Sequence, residues 1–77
     1  MTATLKTQVF IYRTRYGEYF ITLSKLYDKH TGESWRVTYR PAMSHTSNVL
    51  MKDRQSKPSR AIIESRCSDI IGYGTLI

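Results

Sequence analysis

The side chains able to do chemistry in this 77-residue chain are few and far apart. His30 and His45 are the two histidines, and both fall in stretches of loop composition. No cysteine pair or carboxylate cluster stands near either one, so the ligand spacing of a metal site is missing. Cys67 is the single cysteine. It falls on the apolar side of a helical pattern, which suits a small buried residue better than a nucleophile. The six acidic residues are scattered, and no two of them form the carboxylate pair of a hydrolase. Gly72-Tyr73-Gly74 is too short for a phosphate loop and follows a helix pattern instead of preceding one. The expectation is a protein with no catalytic residue, no metal and no cofactor, and so not an enzyme.

Positive charge is abundant. Twelve Lys/Arg against six Asp/Glu give a formal charge of +6. Such an excess draws polyanions through long-range steering and counterion release. Aromatic residues make up 12% of the chain. Exposed among cations, aromatic rings suit stacking on nucleic-acid bases. Alternating in strands, they build a core, and that is the expectation for Trp35 and Tyr39.

The elements that must position these groups are read from periodicity. Tyr19–Tyr27 and Glu33–Arg40 both alternate, and the polar segment Asp28-Lys-His-Thr-Gly32 lies between them. This is a β-hairpin with Gly32 in the left-handed position of the loop. Gln8–Arg15 is a further strand, rich in β-branched and aromatic residues. Either of its faces fits a core: Phe10, Tyr12 and Thr14 share one, and Val9, Ile11, Arg13 and Arg15 the other. The arginines favour Phe10 and Tyr12 as the inward pair. Tyr16-Gly17-Glu18 makes the tight turn to the hairpin. Residues 1–7 read as a polar, partly frayed lead-in. Pro41 ends the third strand, because proline cannot donate to a ladder. Val49-Leu50-Met51 is either an edge strand or an apolar plug, and 52–60 is a basic linker.

Ser56-Lys-Pro-Ser59 carries the cap and proline signals of a helix start, and Gly72 those of a helix end. Between them Ala61, Ile62, Ile63, Cys67, Ile70 and Ile71 recur at helical spacing. Arg60 and Glu64 are placed to pair one turn apart. The apolar tail Tyr73–Ile77 is expected to dock on the domain or on a partner.

The fold expected over 1–77 is one small α+β domain. A three- to four-stranded antiparallel sheet carries one C-terminal helix packed on the Trp35/Val37/Tyr39 face. Strand–strand–strand–helix resembles, in element order, the AP2-type and some integrase arm-binding domains, which implies a sheet that reads DNA. The segment Ile11–Arg40 also resembles small SH3-like barrels of phage-type proteins. That is the alternative fold: a β-barrel closed by Val49–Met51, with the helix as an appendage.

The sheet face opposite the helix then becomes the expected working surface. It would hold Arg13, Arg15, Arg36, Thr38 and Arg40, supplemented by Lys52, Arg54, Lys57 and Arg60. Arginine gives bidentate contacts to guanine and phosphate, and Thr donates to phosphate oxygens. The function expected is nucleic-acid binding in a regulatory or accessory role, on DNA rather than RNA. The alternative is a protein–protein inhibitor or adaptor, such as a phage-encoded antagonist of a host protein, or an acidic protein surface as ligand. Phe20, Leu26, Tyr73, Leu76 and Ile77 would be its contacts, and homodimerisation through an edge strand or the tail is a further expectation. A lone cysteine, the lack of an apolar leader and the lack of a long apolar run set the expectation of a cytoplasmic protein with no membrane contact.

Overall fold

The computed structural model describes residues 2–77. The chain runs β1 (Thr2–Thr14), β2 (Gly17–Asp28), β3 (Gly32–Pro41), β4 (Asn48–Arg54), α1 (Arg60–Ile70) and β5 (Gly74–Leu76). The strands form one antiparallel sheet in the order β4-β3-β2-β1-β5, curled into a half-barrel. Among the described residues, five strands replace the expected three or four. The tail supplies the extra one, by pairing Leu76, Thr75 and Gly74 with Tyr12, Arg13 and Thr14. The sheet stays open, with β4 and β5 as its edges, so Val49–Met51 extends the sheet and does not close a barrel.

β1 reaches back to Thr2 in register with Asp28, so the expected frayed lead-in is strand. Met1 lies outside the described residues. Alternation explains the pairing. Gln8, Phe10 and Tyr12 stand opposite Leu23, Ile21 and Tyr19, which in turn oppose Val37, Tyr39 and Pro41. Cross-strand partners share a face, so the Phe10/Tyr12 side of β1 is the inner one. The hairpin loop closes as its chemistry dictates. The Asp28 carboxylate accepts from the backbone N–H of His30 at 2.8 Å, and Gly32 takes φ +82°.

α1 lies on the inner face. Ile63 and Cys67 are buried there with Tyr12, Ile21, Leu23, Val37, Leu50, Met51 and Leu76. The helix approaches both sheet edges, β4 and β5, and so spans the open side of the half-barrel. It is a structural lid on the core, not an appendage. Its N-cap is Ser59, whose Oγ accepts from the Ile62 N–H at 3.2 Å. The cap is thus the last residue of the expected Ser56-Lys-Pro-Ser59 helix start. The basic linker is shorter than expected, because Lys52, Asp53 and Arg54 belong to β4.

α1 secures β5 through its polar stripe. Arg60 donates to the Leu76 carbonyl at 2.8 Å, and the Leu76 N–H donates to the Glu64 carboxylate at 3.1 Å. The two residues expected to pair with each other instead cap the outward backbone groups of an edge strand. Unpaired edge groups invite association with other chains, and capping them removes that hazard. Leu76 is therefore a core residue, not an exposed contact. Leu26 is buried too, so it offers no protruding surface to a partner. No helix among the described residues is long and apolar enough to cross a membrane.

Candidate nucleic-acid interface

The outer face of the sheet holds Arg13, Arg36 and Arg40, three of the arginines expected to do the binding, and each is engaged within the chain. Arg13 donates to Glu18 at 2.9 Å. Arg36 reaches across β3–β4 and forms a bidentate pair with Asp53, at 2.6 and 2.9 Å. The guanidinium lowers the Asp53 pKa, and the hydrogen-bonded carboxylate raises that of Arg36. Arg40 donates to the Ser44 carbonyl at 2.6 Å, and its guanidinium carbon lies 4.8 Å from the centre of the Phe20 ring. Phe20, the residue least at home on an outer face, is half-buried beneath that guanidinium.

The remainder of the outer face is apolar or hydroxyl-bearing. Val9, Thr22, Thr38 and Val49 form one cross-strand row. Ile11, Phe20 and Arg40 form the next, continued by Ile77, whose N–H donates to the Ile11 carbonyl. Val9, Val49 and Ile77 are 57%, 55% and 51% exposed. Arg15 sits apart from this face, beside the exposed Tyr16 in the β1–β2 turn. Tyr73 is 90% exposed at the opposite end of the helix from its cap.

The inner face carries a second set of cations that alternation alone does not single out. An 11-residue helix is about 16 Å long. Strands of 13 and 12 residues each extend to about 40 Å. The inner face thus continues past the start of α1, and what lies there is basic. Lys6 opposes Lys25, Lys25 opposes Trp35, and Trp35 opposes Arg54. Across four strands this row spans about 14 Å. Lys57, from the segment before α1, sits over the same indole at 5.6 Å, and Lys25 approaches it at 5.7 Å. The Glu33 carboxylate faces the cluster, at 3.4 Å from Lys25. Arg60 begins the helix beside the row and covers Phe10 at 5.7 Å.

The structure therefore divides the expected site. Arg54, Lys57 and Arg60 gather at the helix start, Arg13, Arg36 and Arg40 lie on the other face in internal pairs, and Lys52 is exposed on β4. Sequence reasoning did not select Lys6, Lys25 or Trp35 for this site. Lys25 and Trp35 do share a parity with the inward residues of their strands, which was the available signal. Lys6 shares the parity of Gln8, Phe10 and Tyr12 and pairs in the same register as they do, so it carried the same signal; the bulge between Thr4 and Lys6 shifts only the residues before it.

The buried thiol contributes nothing to this surface. Burial, with the Glu64 carboxylate nearby, pushes Cys67 up to about 11, so it stays protonated and unreactive near neutral pH. Comparison of the chain with protein-family models, curated proteins and solved structures finds no match.

Proposed function

We propose that this protein binds nucleic acid in a regulatory or accessory role, and that the phosphate backbone lies along the inner-face row of Lys6, Lys25, Trp35 and Arg54, with Lys57. The observation that carries the reading is the direct opposition of Lys6 and Lys25 across β1–β2. Like charges placed opposite each other destabilise a sheet. Residues that break a local rule of stability mark surfaces kept for another purpose. A phosphate between two such ammonium groups turns the repulsion into attraction, and each one neutralised releases counterions.

The outer-face arginines serve this role less well, because a polyanion would first have to displace Glu18 from Arg13 and Asp53 from its bidentate pair with Arg36, whereas on the inner row the Glu33 carboxylate engages Lys25 through a single longer contact. Charge reversal separates the faces. With a fluorescent oligonucleotide in low salt, Lys6→Glu with Arg54→Glu is expected to weaken binding by tenfold or more, at about 1 kcal/mol for each phosphate left without its cation. Arg36→Glu with Arg40→Glu is expected to have a smaller effect. The reverse ranking would move the interface to the outer face. Absence of any salt-dependent binding to duplex and single-stranded DNA would remove the reading altogether.

A protein-contact role, as inhibitor or adaptor, draws support from the exposed apolar rows around Val9, Val49 and Ile77. Affinity capture with and without nuclease separates the two. Recovery of one protein in stoichiometric amount after nuclease, abolished by Val9→Asp, favours protein contact.

A further inference from the structure

We propose that the nucleic acid held by this row is a single strand, one of whose bases enters the cleft between the start of α1 and strands β1 and β2. The inference rests on the nucleic-acid reading above and specifies its ligand. The cleft has a volume of about 430 Å³. Its floor is apolar, formed by buried Leu23 and Ile63 and half-buried Phe10. Its rim is polar, with Gln8 on the sheet side and Lys57 and Arg60 on the helix side. An apolar floor beneath a few placed donors and acceptors suits a flat ring with a hydrogen-bonding edge. The Gln8 amide offers both a donor and an acceptor to such an edge. The Arg60 guanidinium, already stacked on Phe10, offers a planar cation on which a base stacks in turn.

Cleft and row are continuous. Lys57 lines the cleft and also lies over Trp35. Gln8 and Lys6 follow one another on the same face of β1, opposite Leu23 and Lys25. A phosphate held between Lys6, Lys25 and Lys57 therefore leaves its base beside the opening. In a duplex that base is paired and stacked, and drawing it out costs free energy that a single strand does not owe. The cleft is thus a device that prefers single strands, and the row alone would not be.

Trp35 is the sole tryptophan and sits within the row, so its fluorescence reports occupancy directly. The probes are an oligo(dT) strand of about 12 nucleotides, a hairpin duplex of similar length, and dextran sulfate as a polyanion without bases. The single strand is expected to bind about tenfold or more tightly than the duplex, which is the worth of one stacked base. Phe10→Leu is expected to narrow that gap while leaving dextran sulfate binding unchanged. Gln8→Ala, at an exposed position, tests the same cleft without touching the core, and circular dichroism confirms that both variants fold. Equal affinity for strand and duplex, or a preference that survives both substitutions, overturns the inference and leaves the nucleic-acid reading standing. Failure of all three probes to bind in low salt overturns both.

Discussion

Lys6 and Asp53 are charged residues with opposite consequences for the stability of the sheet. Lys6 faces Lys25 directly, with no benefit to the sheet. Lys6→Glu is expected to replace that repulsion with a cross-strand ion pair and to stabilise the fold by about 0.5 kcal/mol. The same change is expected to weaken nucleic-acid binding. Thermal melts and binding titrations on one variant check both halves, and a destabilised Lys6→Glu would argue against the opposition. Asp53 behaves in the conventional way. Arg36 depresses its pKa, so the pair contributes stability above the unfolded carboxylate pKa and loses it as pH falls through the lower folded value. Both side chains are more than two-fifths exposed, so the contribution is under about 1 kcal/mol. Asp53→Asn is expected to remove that much stability at pH 7 and to flatten the decline in melting temperature below about pH 4. A variant with the wild-type slope would assign the decline to other carboxylates.

At the scale of elements, β5 and α1 hold each other in place. β5 has only three residues, too short to be stable alone. It persists because Leu76 enters the core and because Arg60 and Glu64 take up its outward backbone groups. Gly74 lets it pair closely. A Cβ there would run into the backbone oxygen of Arg13 and press on Thr14 and Tyr12. Gly74→Ala is therefore expected to unseat β5 and destabilise the protein by about 1–3 kcal/mol. Denaturant unfolding measures the loss, and amide exchange at Ile77, whose N–H is donated to Ile11, locates it. Unchanged protection at Ile77 would show that the strand tolerates the methyl.

Across the whole molecule, the two sheet faces differ in how they use charge. The outer face binds its arginines internally and shows an apolar surface. The inner face shows a lid of helix at one end and a cluster of cations around an indole at the other. Lys6, Lys25, Arg54 and Lys57 thus gather on one face, although they are spread along the sequence. If four of them meet phosphates, the logarithm of affinity should fall with the logarithm of salt at a slope of about −3 for a single strand.

Much of this was legible in the residues themselves. Alternation along Tyr19–Tyr27 and Glu33–Arg40, the glycine closing their loop, the inward Phe10/Tyr12 face and the helix over Ile63 and Cys67 are local properties, set by side-chain periodicity and turn chemistry. The excess of positive charge needed no fold at all. The rest depends on register, which is not local: a shift of one residue sends a side chain to the other face of a sheet. Only the folded molecule brings Asp53 to Arg36 and takes that arginine out of play. Only it seats Leu76 beside Tyr12, where the sequence left the apolar tail to dock on either the domain or a partner. And only strand pairing sets Lys6 in line with Lys25, Trp35 and Arg54, so composition determined that the protein is basic while register decided where its cations gather.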